Sequence, residues 1–175
     1  MAIFRFKKFI PQIAETTYIA PGAHCIGNII LEENSSVWHN SVLRGDVNQI
    51  RVGENSNIQD LSMLHVTEKL ALRIGNNVTI GHSVTLHGCT IGNNALIGMG
   101  ATILDQVEIG EYCIVAAGSV VAPGKIFPPK KMIMGVPAKV VRDLTLDEIK
   151  MLDLHYKSYV GYAKEFKDPS IVEKL

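Results

Sequence analysis

The sequence has no excess of either charge, no long apolar run and no cysteine framework. Lysine plus arginine and aspartate plus glutamate balance at 17 each. No basic stripe or acidic tail therefore points to nucleic acid or to a membrane surface. No stretch reaches the roughly 18 consecutive apolar residues that span a bilayer as a helix. The opening MAIFRFKKFIPQIAE puts basic residues after its first apolar ones and has no small-residue cleavage site. That argues against a signal peptide. Three cysteines, Cys25, Cys89 and Cys113, are odd in number and widely spaced. They argue against a disulfide framework and suit a reducing cytoplasm. Cys89, beside two histidines, reads as a small core-filling thiol rather than a ligand.

What the sequence does have is a period of six. From Ile19 onward a branched apolar residue returns about every six positions, usually followed by Gly or Ala. The clearest run is Ile91-Gly92, Ile97-Gly98, Ile103, Ile109-Gly110, Val115-Ala116 and Val121-Ala122. Earlier members are Ile19, Cys25, Leu31, Val37 and Leu43, then Val52, Ile58 and Leu64, then Ile74, Ile80 and Leu86. A helix needs a spacing near 3.6 and an ordinary strand needs strict alternation, so neither fits. Period six predicts an all-β solenoid, a parallel β-helix in which three short sides close a triangular coil. The branched residue points inward and stacks on its equivalent in the next coil. Gly at the following position is read as permitting a backbone conformation that a side chain resists. About six coils follow.

The repeats occupy about 19–125 of a β-helix domain spanning 1–144. After Val121 the sequence becomes PGKIFPPKKMIMGVPAKVVRD, too proline-rich for regular ladder pairing. Thr145 then opens a helix, 145–167, with the capping box Thr145-x-x-Glu148. Ile149, Leu152, Tyr156, Val160, Ala163 and Phe166 give it one apolar face for packing against the solenoid. Asp168-Pro169 ends it, leaving a tail over 168–175.

Counting sides places the histidines. From Leu64 the next inward residues are Ile74, Ile80 and Leu86, one full coil, with a small bulged loop in VTEKLALR. His65 and His87 each follow an inward residue and so stand one rung apart, about 4.8 Å. Two imidazoles at that separation can grip one metal ion. Arg44 follows Leu43 and lies below His65 in the same column. His82 lies two places after Ile80, on the neighbouring side, with Asp60 and then His39 below it. Its ring cannot join the other two within one chain. A closed threefold assembly would bring one prism's His82 side against another's His65/His87 side, giving three equivalent metal sites between subunits. His24, His39 and His155 are read as ordinary solvated or hydrogen-bonded histidines.

The segments VLRGDVNQIRVGENSNIQDLSMLHV and IGNNVTIGHSVTLHGCTIGNNALIGMGATILD, with the histidine pattern H…H-x-x-x-x-H, closely resemble the γ-class carbonic anhydrase-like proteins. Some members of that family carry the label ferripyochelin-binding protein. The resemblance runs from about Tyr18 to Leu144. It implies a left-handed β-helix, a homotrimer, and a metal held by His65 and His87 of one chain and His82 of its neighbour. Zn²⁺ is the expected ion, with Fe²⁺ or Co²⁺ also suited to imidazole. By the same resemblance Arg44 and Asp46 serve interface ion pairing and bicarbonate contact. Gln59 would bond the metal-bound solvent, and Asp60 would support the interface arginine.

The implied reaction is attack of metal-bound hydroxide on carbon dioxide, giving bicarbonate. The metal lowers its water's pKa from 15.7 to about 7, values known from carbonic anhydrase itself. Active members carry a glutamate directly after the R-x-D aspartate and a long acidic loop after the first histidine. Here Val47 and the short VTEKLALR loop, with Glu68 its one carboxylate, stand in their places. The site is complete for metal binding and poorly equipped for proton transfer. Two alternatives remain. One is a hexapeptide acyltransferase, which shares GVPAKVVRDL but needs one histidine as general base. The other is a metal-binding family member with another substrate or no catalysis.

Overall fold

Leu86 lies in register between Leu64 on one coil and Ile103 on the next, and all three are fully buried. That arrangement repeats through the computed structural model, which describes residues 2–172; the end of the expected tail lies outside the described residues. Short parallel strands wind as a left-handed β-helix of about 7 turns, with one helix on its flank. The first side stacks Cys25, Leu43, Leu64, Leu86, Ile103 and Val121. The second stacks Leu31, Val52, Ile74, Ile91 and Ile109. The third stacks Ile19, Val37, Ile58, Ile80, Ile97 and Val115. The three columns merge into one apolar core along the axis. Near 25 cal/mol per Å² of apolar surface removed from water, this ladder is the dominant stabilising term.

The ladder extends further than the period indicates at both ends. Ile3 pairs with Cys25 and Ile13 with Leu31, ahead of the expected start at Ile19. Beyond Val121, the strand Ile126–Phe127 pairs with Glu108–Ile109, and Lys131–Gly135 pairs with Ile114–Val115. Prolines do not stop it because Pro123, Pro128 and Pro129 fall outside the strands, where no ladder N–H is required. Pro137 sits in the turn joining Lys131–Gly135 to the antiparallel strand Ala138–Asp143, which covers the exposed edge of the last rung.

The residue after each inward position has a different role from the one its glycine suggests. Gly92 is not in the left-handed region; a Cβ there would stand 2.6 Å from the backbone nitrogen of Glu111 on the next coil. Close approach selects glycine at that site. The left-handed conformation falls instead on corner residues, among them Asn40, Asn55, Asn77 and Asn94, with φ from 56 to 60°. Asparagine tolerates that region through its short polar side chain. Asn55 donates to Asn77 and Asn77 to Asn94, each at 3.0 Å, in a ladder down one edge.

Helix α1 (Leu146–Lys167) starts at the expected N-cap, with both arms of the Thr145/Glu148 box formed. It climbs the third side. Leu152 packs with Ile114 and Leu144 near one end, and Ala163 packs with Tyr18, Ala20 and Trp38 near the other. Tyr159, rather than Tyr156, meets Trp38, edge to face at 5.6 Å. The polar His155 occupies the centre of the packed stripe, which is why an apolar count misplaces it. Lys167 Nζ donates to the carbonyl of Thr16 at 2.8 Å. No helix among the described residues is long and apolar enough to cross a membrane.

Candidate functional site

Strand pairing puts Arg44, His65 and His87 on successive rungs of the first side. Their side chains project outward because the inward residues Leu43, Leu64 and Leu86 precede them. His65 Nδ1 lies 3.0 Å from His87 Nε2. Each ring is held from behind by a carboxylate. Asp46 Oδ1 is 3.1 Å from His65 Nε2, and Asp105 Oδ1 is 2.7 Å from His87 Nδ1. Arg44 donates to the other oxygen of Asp46. Burial works against the Asp46 anion, but hydrogen bonds from Arg44 and His65 and the arginine charge outweigh it and hold its pKa below the ordinary carboxylate value.

Asp105 is the residue that sequence reading missed. It lies two places after Ile103, outside the column of residues that directly follow inward positions. The available signal was Gly88, two places after Leu86. A Cβ on Gly88 would stand 2.7 Å from Asp105 Oδ1, so the absent side chain clears the path to His87.

The third-side group is separate. Asp60 accepts a hydrogen bond from His39 Nδ1 at 3.2 Å on one oxygen, and its other oxygen lies 2.9 Å from His82 Nδ1. Within the chain Asp60 thus engages two histidines, and Arg44 engages Asp46. Gln59 is buried and donates through Nε2 to Asn57 Oδ1 at 3.2 Å. Among the described residues no three His, Cys, Asp or Glu side chains of one chain are disposed to hold a metal. The structure joins His65 with His87 and leaves His82 apart. Cys89 is sealed in the core, where burial pushes its thiol up to about 12, so it supplies no thiolate ligand.

The donor set fits a metal cation. A carboxylate accepts one ring N–H from each of His65 and His87, leaving the second ring nitrogen as a lone pair, and Asp60 stands beside Nδ1 of His82. A histidine ligand backed by a carboxylate is the usual outer arrangement at metal sites. On the first side two such lone pairs face each other at 3.0 Å, a repulsive contact relieved by a proton or a cation between them. Two nitrogens of a tetrahedral site with bonds of 2.0–2.1 Å stand about 3.3 Å apart, close to what is found. Val47 is 46 % exposed and Glu68 is solvent-exposed on the loop beside the pair. A cavity of about 220 Å³ between α1 and the third side is lined by Gln59, Thr79, His82, His155 and Tyr159.

Comparison with known proteins bears on the fold and the family. The family model described as bacterial transferase hexapeptide (six repeats) matches residues 72–105 and 88–123. The chain is 44% identical over 165 residues to a carbonic anhydrase of Geobacillus kaustophilus, covering 94% of this chain and 91% of that one. It is 41% identical over 160 residues to the mitochondrial gamma carbonic anhydrase 2 of Arabidopsis thaliana, covering 88% of this chain. The chain spans 58% of the length of that plant relative. Among solved structures, a protein of Bacillus cereus described as a putative acetyltransferase superposes with a TM-score of 0.93 at 40% identity, covering 95% of this chain and 96% of that one.

Proposed function

Because the chain belongs to the γ-carbonic anhydrase-like family of hexapeptide-repeat proteins, we propose that it is a trimeric metalloprotein that hydrates carbon dioxide to bicarbonate. One observation carries the reading. His65 and His87 each have one ring nitrogen held by a carboxylate and the other turned toward its partner ring, while His82, with Asp60 beside its Nδ1, lies on another side of the prism. A threefold assembly that sets the first side of one chain against the third side of the next completes a three-imidazole set. A Zn²⁺, Fe²⁺ or Co²⁺ ion bound there supplies Lewis acidity that brings a water's pKa near 7, the figure known from carbonic anhydrase itself.

The chain's own residues have distinct tasks. Asp46, Asp60 and Asp105 fix the ring orientations and raise the basicity of the open nitrogens. Arg44, its guanidinium held by Asp46, and Gln59 orient the bicarbonate. Proton export is the weak step, since Val47 carries no acid and Glu68 sits on an exposed loop.

The test is metal analysis of protein purified without chelators, with its mass in solution, followed by stopped-flow carbon dioxide hydration. One metal per chain in a trimer is expected. Turnover should rise with imidazole buffer at fixed pH and ionic strength, and Val47→Glu should flatten that dependence. Fully loaded protein with no hydration above background at any buffer concentration would refute the reaction.

The likeness to the Bacillus cereus protein described as a putative acetyltransferase favours acyl transfer as a second reading. It requires one histidine as general base and gives no reason for two carboxylate-backed imidazoles one rung apart. Acetyl-coenzyme A turnover that survives loss of His65 and His87 would support it.

A further inference from the structure

None of these tasks involves α1, yet hydrogen bonds run unbroken from Gln59 to that helix. Gln59 Nε2 donates to Asn57 Oδ1 at 3.2 Å, and Asn57 Nδ2 donates to Thr79 Oγ1 at 3.0 Å and, over a longer 3.4 Å, to the Val78 carbonyl. Thr79 Oγ1 in turn lies 3.1 Å from His155 Nδ1. Gln59, Asn57 and Thr79 are all buried. Donor chemistry sets the direction of the chain. An amide nitrogen only donates, and an amide oxygen only accepts. The Thr79 hydroxyl accepts from Asn57, and His155 Nδ1 is the acceptor that lies within reach of its one proton; with that proton given to the ring, His155 accepts at Nδ1 and carries its own proton at Nε2. Partial burial of His155 lowers its pKa and favours the neutral ring that can accept.

The other end of the chain is Gln59 Oε1, which has no hydrogen-bond partner among the described residues. No buried side-chain nitrogen or oxygen there lacks a partner, so Oε1 must reach solvent. Gln59 lines the same cavity as His82 and His155.

We propose that His155 is a positioning residue: from α1, through Thr79 and Asn57, it holds the Gln59 amide with its oxygen toward the cavity beside His82. An occupant of that space then meets a hydrogen-bond acceptor. The arrangement favours a ligand that carries an O–H, such as bicarbonate, over an aprotic anion of the same shape, such as nitrate. This inference rests on the metal-site reading and assigns α1 a part in its specificity.

Two measurements test it. In metal-free protein, long-range ¹H–¹⁵N correlations report the tautomer of His155. A proton at Nε2 is expected in the native protein and a mixture of the two tautomers in Thr79→Val; a proton at Nδ1 in the native protein overturns the inference and leaves the metal site untouched. In the cobalt-loaded trimer, visible spectra titrated with bicarbonate and with nitrate give two dissociation constants. His155→Leu should reduce the preference for bicarbonate about three- to tenfold, the scale of one hydrogen bond. His155→Asn, whose amide oxygen can still accept from Thr79, should retain the preference. His155→Leu should add nothing in a Gln59→Ala background, since residues acting through one another are not additive. An equal effect with and without Gln59 would overturn the proposal, as would none at all while Gln59→Ala changes the preference. Native protein that takes up no cobalt would overturn the metal-site reading, and the anion preference with it.

Discussion

The first and third sides of the prism are built from the same hexapeptide and use their histidines differently. On the first side two imidazoles stack one rung apart, each with its own carboxylate, Asp46 and Asp105. On the third, His82 stands at a corner and has Asp60 between it and His39, while α1 packs along the same side. Stacking in register is a ready source of two ligands. A third imidazole in the same column would stand another rung away, about 9.6 Å from the first, beyond the reach of one ion. A site of three imidazoles on this fold has to recruit another face.

The sharpest way to break the comparison is to remove one side's contribution. His82→Ala should abolish metal uptake, measured as metal per chain, while leaving every inward residue in place and the circular dichroism unchanged. Retention of one metal per chain would remove His82 from the ligand set. Chains lacking His82, mixed during refolding with chains lacking both His65 and His87, should recover some sites where intact faces meet. No recovery in trimers demonstrated to be mixed would refute the intersubunit arrangement.

The next largest effect separates the inner and outer surfaces of the first side. Leu86→Ala removes a side chain fully buried between Leu64 and Ile103 and should cost about 2–5 kcal/mol in denaturant unfolding. Met63→Ala, at a position 40 % exposed, should stay within about 0.5 kcal/mol in the chain as a monomer. A larger loss for Met63 that depends on protein concentration would identify it as an interface residue.

A smaller effect compares the carboxylate supports. Asp105→Asn and Asp60→Asn should each weaken metal affinity about 10- to 100-fold, the usual consequence of losing a histidine's outer partner. Competition with a chromophoric chelator measures both. Unchanged affinity in either variant would reduce that carboxylate to a surface charge.

The smallest effect lies at the foot of α1. Arg142 and the Thr145 cap hold the Glu148 carboxyl down at about 2, from an ordinary 4.5. A depressed carboxylate contributes stability that is fully present above its unfolded pKa and is lost as pH falls through the folded one. Helix docking should therefore hold above about pH 4.5 and weaken toward pH 2. Trp38, the single tryptophan, packs against Tyr159 and Phe166 and reports docking by fluorescence. Glu148→Gln should flatten that part of the acid profile; an unaltered profile would place the acid sensitivity elsewhere.

The core and the histidine register were legible because both depend only on position within a six-residue unit. Leu64 inward fixes His65 outward, and one coil later Leu86 does the same for His87. The ends were not legible, because Ile3, Ile13, Phe127 and Ile133 are separated by irregular spacings or by prolines that lie harmlessly outside the strands. Asp105 was hidden because its reach to His87 depends on an absent side chain at Gly88. His155 was hidden for another reason. Its partner Thr79 is 76 residues away, on a face that only the docking of α1 brings near.

The bond from Lys167 to Thr16 joins residues 151 apart in sequence, and so ties the end of the helix to the first turns of the solenoid. A stack in which each coil touches only its neighbours behaves as a one-dimensional array, free to fray from either end and to populate partly folded states. With one end of α1 on Leu144 and Ile114 and the other on Tyr18 and Trp38, early and late coils share a common brace. The helix converts a chain of nearest-neighbour couplings into a loop, so that loss of the first turns weakens the last. The molecule should therefore unfold in a single transition with α1 present and in separable steps once it is removed.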